Sequence, residues 1–258
     1  MSVDQLASAL VLAHREKRPA PRVDEVARLG LDEAYLVQSR VFERLWERGS
    51  RAVPSYKVSL VTREIQQLYG TDEPALGAVP PQHVVDSGST LALDDLFCPI
   101  LEPELVFVAT RPLSAAAGVE EILDACLVAP GIEVPDSRYA GWYPLPDGTV
   151  TELVADGAFA GRIVCGEPVR VTDAAFLAGV EVSASFDGEL FARGTGTQVM
   201  GNPVNAVAWL SRALAAQGRI VQAGSHIASG TFADPVVVRA GTFRADYEGI
   251  GSVEVSFA

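Results

Sequence analysis

The sequence predicts an α+β fold in which a helical lobe (residues 1–75) precedes a mixed β-sheet domain (residues 76–258). Apolar residues recur at helical spacing in the first part, whereas short β-like runs alternate with glycine, proline and aspartate after about Leu76. The chain has 258 residues, 48% of them hydrophobic, which is enough for one large domain with a full core.

Two amphipathic helices are expected in the lobe. The first runs from Asp4 to about Lys17, and Asp32 is a suitable N-cap for the second, which Gly49 would end. The proline-containing segment from Arg18 to Pro21 is expected to link them.

Helices and strands are mixed in the second part. One helix is expected over Val119–Leu127, and another begins at Asn202-Pro203, where asparagine caps the helix and proline fits its first turn. Asp187-Gly188 between apolar runs predicts a β-hairpin. The β-like runs are Val84-Val85, Leu101–Val108, Arg162–Val164, Val180–Phe186, Ile220–Ala223, Val236–Arg239 and Val253–Phe257.

Charge and cysteine usage limit the classes of partner. The net charge of −13 argues against nucleic acid or an anionic membrane, although a bound cation would still allow a small anionic substrate. Cys98, Cys126 and Cys165 form no close pair, the amino terminus lacks signal-peptide order, and no apolar run approaches about twenty residues. We therefore expect a soluble cytoplasmic protein with reduced thiols.

Two acids in the strand-like run Leu101–Val108 are the most informative feature of the sequence. Alternate side chains of a strand share a face, so Glu102 and Glu104 point the same way, and Glu133 lies in a second apolar stretch. Three carboxylates without a nearby histidine or thiol suit Mg²⁺ or Mn²⁺ better than zinc. The alternative is a solvated outer face, and Pro103 favours a strand edge or start.

One lysine, Lys57, lies inside the apolar run Tyr56–Leu60. It either extends to water or is buried with a lowered pKa, which would suit proton transfer near neutral pH. Asp72 or Glu73, which follow closely in sequence, are candidates for its carboxylate partner.

Two small-residue segments have both a structural and a functional interpretation. Asp156-Gly157 is typical of a turn. Ser229-Gly230-Thr231 ends a short apolar strand, either as a simple turn or as a cradle for a carboxylate. The histidines His14, His83 and His226 are scattered and suggest no catalytic triad.

Taken in order, eight segments resemble the 2-keto-4-pentenoate hydratase / 4-oxalocrotonate decarboxylase family, within the fumarylacetoacetate hydrolase superfamily. The resemblance covers nearly the whole chain. The segments are Tyr56–Leu60, Gly70–Pro74, Glu102-x-Glu104, Ile132–Arg138, Val154–Asp156, Gly201–Leu210, Ala223–Thr231 and Glu248–Val253.

The resemblance implies a small helical lobe on a mixed β-roll with the active site inside the roll. It implies Mg²⁺ or Mn²⁺ on Glu102, Glu104 and Glu133, and acid–base roles for Lys57 and Asp72. It also implies substrate binding by Asp156, Ser229 and Thr231. Members of the family usually act in the breakdown of aromatic compounds and are often homo-oligomers, in some cases with a pathway partner enzyme.

The chemistry implied is stabilisation of an enolate of a 2-oxo or 2-hydroxydienoic acid by the cation. The leading hypothesis is a hydratase that adds water to a 2-hydroxy-2,4-dienoate and gives a 4-hydroxy-2-oxo acid. The alternatives are a decarboxylase of the 4-oxalocrotonate type, an acylpyruvate C–C hydrolase, and a non-catalytic subunit that supports a partner enzyme.

Four positions depart from the family pattern. Members commonly have Asp-Asn-Ala-Ser where this chain has Asp156-Gly157-Ala158-Phe159, so that Phe159 adds bulk near the expected pocket. Many hydratases have an acid where this chain has Ala75, and Pro103 is unusual between the two acids. These departures predict an altered substrate or a different reaction on the same intermediate.

Overall fold

A computed structural model describes residues 1–20, 24–45, 53–143 and 148–258. In these ranges the chain forms eight α-helices. They are α1 (Val3–Glu16), α2 (Asp24–Ala27), α3 (Leu31–Leu45), α4 (Arg63–Leu68), α5 (Val119–Ala125), α6 (Val150–Ala155), α7 (Ala174–Gly179) and α8 (Pro203–Ala216).

The same ranges form thirteen strands in two sheets. The strands are β1 (Ser55–Ser59), β2 (Ala75–Val79), β3 (Val84–Asp86), β4 (Thr90–Leu91), β5 (Ile100–Ala109), β6 (Cys126–Val134), β7 (Arg162–Cys165), β8 (Glu181–Phe186), β9 (Glu189–Thr195), β10 (His226–Ala228), β11 (Val236–Val237), β12 (Gly241–Tyr247) and β13 (Gly251–Phe257).

The larger sheet has the order β2-β1-β10-β5-β6-β7-β3, and β11 pairs with the first residues of β5. The smaller sheet has the order β4-β13-β12-β8-β9. The α+β class is confirmed, as is the Asp187-Gly188 hairpin, which joins β8 to β9.

Three apolar clusters organise the interior. The largest covers the outer face of the main sheet and includes Leu101, Leu105 and Phe107 of β5. A second cluster joins the lobe helices to α6 and the loop around Trp142. A small third cluster lies on the inner sheet face around Val106 and Ala228. Because β5 alternates between these faces, its even-numbered residues point to the inner face.

Several predicted boundaries differ from the structure. The second lobe helix begins at Leu31, so Asp32 lies in its first turn and does not cap it. The predicted helix Val119–Leu127 ends at Ala125 because β6 begins at Cys126. Ile220–Ala223 forms no strand. The predicted helix end at Gly49 and linker residue Pro21 fall outside the described residues.

The helix that was predicted from Asn202-Pro203 is present. Its cap is the Asn202 side chain, which accepts a hydrogen bond from the backbone of Val204. The predicted division at residue 75 remains a prediction, and the structure assigns β1, on the lobe side of that division, to the main sheet.

Candidate metal centre and active site

Three glutamates meet on the inner face of the main sheet. Glu133 of β6 lies directly opposite Glu102 of β5, and Glu104 lies opposite Gly131. Directly opposed residues of an antiparallel pair share a face, so all three carboxylates project into the same space. One oxygen from each lies within 4.8 Å of the others. The structure thus brings together the three acids that the sequence singled out.

The glutamates are not on a solvated outer face. Glu104 and Glu133 are each 1% exposed, and Glu102 is partly exposed. Pro103 is not at a strand edge, because β5 pairs with β6 there and the Pro103 carbonyl accepts a hydrogen bond from Phe232 N–H at 2.9 Å. Pro103 thus lies inside a paired, buried strand, although proline is usually found at strand edges.

Burial and mutual repulsion oppose ionisation of this cluster. Burial raises the pKa of Glu102 to about 7, and repulsion from Glu133 acts in the same direction. Burial, Glu133 and Glu102 raise the pKa of Glu104 well above its usual range. Both Glu133 oxygens lack an aligned hydrogen-bond donor among the described residues. A hard cation would satisfy these oxygens and balance their charge.

Lys57 is buried beside the glutamates, 2% exposed, with Nζ 2.9 Å from Oε1 of Glu133. The strands β10 and β5 lie between β1 and β6, a separation of roughly 14 Å in a flat sheet. The contact is consistent with a curled sheet, as expected for a β-roll.

The predicted properties of Lys57 need two corrections. Its partner is Glu133 and not Asp72 or Glu73. Burial lowers the pKa of Lys57, but attraction to Glu133, Glu102 and Glu104 more than offsets burial, so the pKa is raised and not lowered. In the absence of a cation, Lys57 is the charged partner of the glutamates.

A left-handed turn holds Lys57 from the other side. Gly157, Ala158 and Phe159 have φ angles of 68°, 53° and 58°, and Nζ of Lys57 donates a hydrogen bond to the Ala158 carbonyl at 3.0 Å. Non-glycine residues in this region cost about 1–2 kcal/mol each, so the surrounding contacts must hold the turn in place.

Gly77 of β2 allows this turn to approach. A Cβ atom at position 77 would lie 2.2 Å from the Gly157 carbonyl oxygen and 2.9 Å from Cγ of Lys57. Only glycine fits between the strand and the turn.

Asp156 anchors the same turn. Its carboxylate accepts hydrogen bonds from Ser137 Oγ and Arg138 N–H, both at 2.8 Å, and from Nε of Arg138 at 2.6 Å. The Arg138 guanidinium also donates to the carbonyls of Asp136 and Ala160 at 2.7 Å. Both Asp156 oxygens are used internally, so the geometry indicates a positioning role and gives no support to direct substrate contact.

The other predicted site residues are dispersed. Thr231 borders the cavity described below, but its hydroxyl donates to the Ala233 carbonyl at 2.7 Å. Ser229 is fully buried, and its Oγ has no hydrogen-bond partner within the described ranges. Asp72 is exposed in the loop before β2 and does not border the cavity. Its role in proton transfer stays a prediction.

The charged groups open into a cavity of about 260 Å³. Lys57, Glu102 and Glu104 form its charged wall. The apolar wall comes from residues of the second cluster or packed against it: Leu60, Ile65, Trp142, Tyr143, Leu153 and Phe159. All three histidines fall within the described residues, and none borders this cavity.

Two backbone groups of the site differ from what the sequence predicted. The cradle expected at Ser229-Gly230-Thr231 holds the carboxylate of Glu104, and the role of the Ala158 carbonyl was missed. The N–H of Gly230 donates to Oε2 of Glu104 at 2.7 Å, and the Ala158 carbonyl accepts from Lys57. The glycine within Ser229-Gly230-Thr231 was a usable signal, because a φ of 108° at Gly230 favours glycine. No residue type signals the carbonyl of Ala158.

The chain has the fold of the fumarylacetoacetate hydrolase superfamily, shared for example with fumarylpyruvate hydrolase from Pseudomonas aeruginosa at a TM-score of 0.62 and 18% identity, over 83% of this chain and 94% of that one. Over 98% of its length the chain is 32% identical to a 2-keto-4-pentenoate hydratase of Paraburkholderia xenovorans, of which 94% is covered. The chain therefore belongs to the 2-keto-4-pentenoate hydratase family.

Two further comparisons agree with this assignment. A 2-oxo-hept-4-ene-1,7-dioate hydratase of Escherichia coli is 30% identical over 88% of this chain and 86% of its own length. The structure of 4-oxalocrotonate decarboxylase from Pseudomonas putida G7, complexed with magnesium and adipate, has a TM-score of 0.89 at 26% identity and covers 99% of this chain and 97% of that one. No family model matches the sequence.

Proposed function

We propose that this chain is a divalent-metal-dependent hydratase that adds water to a 2-hydroxy-2,4-dienoate and gives a 4-hydroxy-2-oxo acid. The supporting observation is a cluster of Glu102, Glu104, Glu133 and Lys57, three of which, all but Glu133, line one cavity in a member of the hydratase family. Relatives that align with most of the chain at 32–33% identity carry hydratase names, which supports a role in the breakdown of aromatic compounds.

We assign Mg²⁺ or Mn²⁺ to the three glutamates. Their oxygens are the hard ligands these ions prefer, and Glu133, whose described contact is the ion pair with Lys57, has an Oε2 without a hydrogen-bond donor in the described residues. When bound, the ion would stabilise negative charge that develops on the 2-oxygen of the substrate. The Gly230 N–H fixes one oxygen of Glu104 and leaves the other available.

Lys57 is the group assigned to proton transfer. Its Nζ is held between the glutamates and the Ala158 carbonyl, at the charged wall of the cavity. A buried amine at this position can give or take a proton at a carbon next to the 2-oxo group. The apolar wall limits water to the space that the substrate leaves.

The test is the loss of dienoate absorbance with purified protein, with the product identified as a 4-hydroxy-2-oxo acid by NMR. We expect turnover with Mg²⁺ or Mn²⁺, loss of turnover after chelation, and recovery when the metal is restored. Turnover that chelation leaves unchanged would contradict the proposed function.

A decarboxylase is the second candidate, favoured by the TM-score of 0.89 to the 4-oxalocrotonate decarboxylase structure. The two reactions share an enolate and differ in the bond that breaks. Release of CO₂ from the six-carbon unsaturated diacid, at a rate above that of dienoate hydration, would favour this candidate over the hydratase.

We also propose that the chain acts as a homo-oligomer in the cytoplasm and that it associates with a pathway partner enzyme. Three free cysteines support a reducing compartment. None of the helices in the described ranges is long and apolar enough to cross a membrane. Light scattering coupled to gel filtration measures the oligomer, and a monomeric mass would contradict it.

A further inference from the structure

We infer that the cavity selects substrates whose end remote from the 2-oxo acid is uncharged and apolar, that it rejects a second carboxylate, and that Phe159 determines this selectivity. The inference rests on the proposed function, because it assumes that the 2-oxo acid end lies at the charged wall. It extends that function to a substrate class, namely monoacids with an apolar tail.

The charge of the cavity opposes a second carboxylate. Among the described residues that border it, Lys57 is the sole basic side chain, whereas Glu102, Glu104 and Asp234 are acidic. Lys57 already pairs with Glu133. A diacid would therefore bring its second charge into a space with no free cationic partner, at a substantial cost in desolvation.

The indole donor in the apolar wall is also committed. The indole N–H of Trp142 donates to the Cys98 carbonyl at 2.9 Å. Burial, together with the nearby charges of Glu102 and Asp234, raises the pKa of Tyr143, so the surroundings of this phenol are acidic. With the Trp142 N–H committed and acidic groups beside Tyr143, this part of the wall suits hydrocarbon better than an anion.

Phe159 is rigidly placed in that wall. Its backbone is held at φ 58°, its N–H donates to the Asp156 carbonyl at 3.1 Å, and its carbonyl accepts from Asp136 N–H at 2.9 Å. Its ring packs on Trp142 with a centroid separation of 4.9 Å. The Phe159 ring is therefore held in place and offers the cavity an apolar surface.

The decisive experiment compares two saturated analogues of the same shape. In 2-oxohexanedioate the terminal group is a carboxylate, whereas in 6-methyl-2-oxoheptanoate it is an isopropyl group of similar size. We expect calorimetry with Mg²⁺ present to show at least tenfold tighter binding of the isopropyl analogue. Equal or tighter binding of the diacid would overturn the inference.

Two variants test the role of Phe159. Phe159→Ser should reduce the preference for the isopropyl analogue at least fivefold, whereas Phe191→Ser, a matched change at an exposed phenylalanine of β9, should retain it. An unchanged preference in folded Phe159→Ser would remove Phe159 from the inference. If that variant does not fold, the comparison of the two analogues with the unaltered protein still decides the charge selectivity.

The same measurements separate this inference from the proposed function. Binding of pyruvate that depends on Mg²⁺, combined with a preference for the diacid, would overturn the selectivity alone. Absence of pyruvate binding and of dienoate hydration would overturn the proposed function, and the selectivity would fall with it.

Discussion

Lys57 is held among opposite charges by parts of the chain that are far apart in sequence. Its neighbours are Glu133 from β6 and the carbonyl of Ala158 from the left-handed turn, with Glu102 and Glu104 of β5 on the same sheet face. This arrangement fixes the position of one amine at the charged wall of the cavity, where we propose that it transfers a proton.

The first residue-scale prediction concerns this amine. Lys57→Ala should retain Mn²⁺ binding but slow deuterium exchange at C3 of 2-oxobutanoate by about 10²–10⁴-fold, because a positioned acid–base group is lost. NMR measures the exchange. Exchange at the rate of the unaltered protein would remove Lys57 from the mechanism.

The second concerns a carboxylate. Glu104→Gln preserves volume and an oxygen that can accept from Gly230, but it removes one charge from the cluster. We expect loss of Mn²⁺ binding by calorimetry, with a metal-free melting temperature equal to or above that of the unaltered protein. Glu189→Gln, at an exposed position, is the matched control. Unaltered Mn²⁺ affinity in Glu104→Gln would refute the metal assignment.

At the scale of elements, the turn 157–159 packs against the lobe and also contacts Lys57. Its strained backbone is maintained by Arg138 and Asp156 on one side and by the close approach of Gly77 on the other. Small changes at these supports should displace the Ala158 carbonyl and, through it, Lys57.

Gly77→Ala tests the close approach. The new methyl group would overlap the Gly157 carbonyl, so we expect a loss of about 1–3 kcal/mol in the free energy of unfolding together with slower C3 exchange. Gly179→Ala, where an added Cβ meets no atom within 4 Å, should change neither quantity appreciably. Similar behaviour of both variants would argue against the packing explanation.

Asp156→Asn tests the anchor. It leaves the largely buried Arg138 without its charged partner, so we expect the free energy of unfolding to fall by about 3 kcal/mol in a urea titration. If Asp156 instead contacts substrate, as the family resemblance implied, the main effect will be on ligand affinity with stability nearly unchanged.

The local pattern was sufficient to predict the acidic face. Glu102 and Glu104 share a face by strand geometry alone, and the hard-ligand preference follows from their chemistry. The partner of Lys57 was not predictable, because it depends on the curl of the sheet across four strands. The same holds for Asp156, whose interaction with Arg138 depends on the path of a loop.

At the scale of the whole molecule, two partly buried histidines link stability to pH. His14 and His83 stack at 5.9 Å, and Arg162 lies 3.3 Å from Nδ1 of His83. Burial and the nearby charge of Arg162, followed by that of His14, lower the pKa of His83 to about 3. Burial and the nearby charge of Arg138 lower the pKa of His14 to about 4.

The sign of the pH effect follows from these shifts. Between pH 6.5 and about 3, His83 binds a proton in the unfolded chain but not in the folded protein. The stability that neutral His83 contributes is therefore complete above pH 6.5 and is lost as the pH falls below that value. The buried glutamates act in the opposite direction, since their pKa values are raised on folding.

His83→Gln isolates this contribution. Below pH 6.5 we expect the unaltered protein to lose stability relative to the variant, by up to about 1.4 kcal/mol in the free energy of unfolding for each pH unit. Denaturant titrations from pH 4.5 to pH 8 measure it. A difference that stays constant with pH would contradict the shift at His83.

The second cluster is shared between the lobe interior and the apolar wall of the cavity. Leu10 and Val37 of the lobe belong to the same packed unit as Trp142 and Phe159, yet neither borders the cavity. Substitutions inside the lobe can thus reshape the space around a substrate tail while every charged group keeps its place. The fold therefore allows selectivity to change through repacking inside the lobe, while the charged groups at the cavity stay the same.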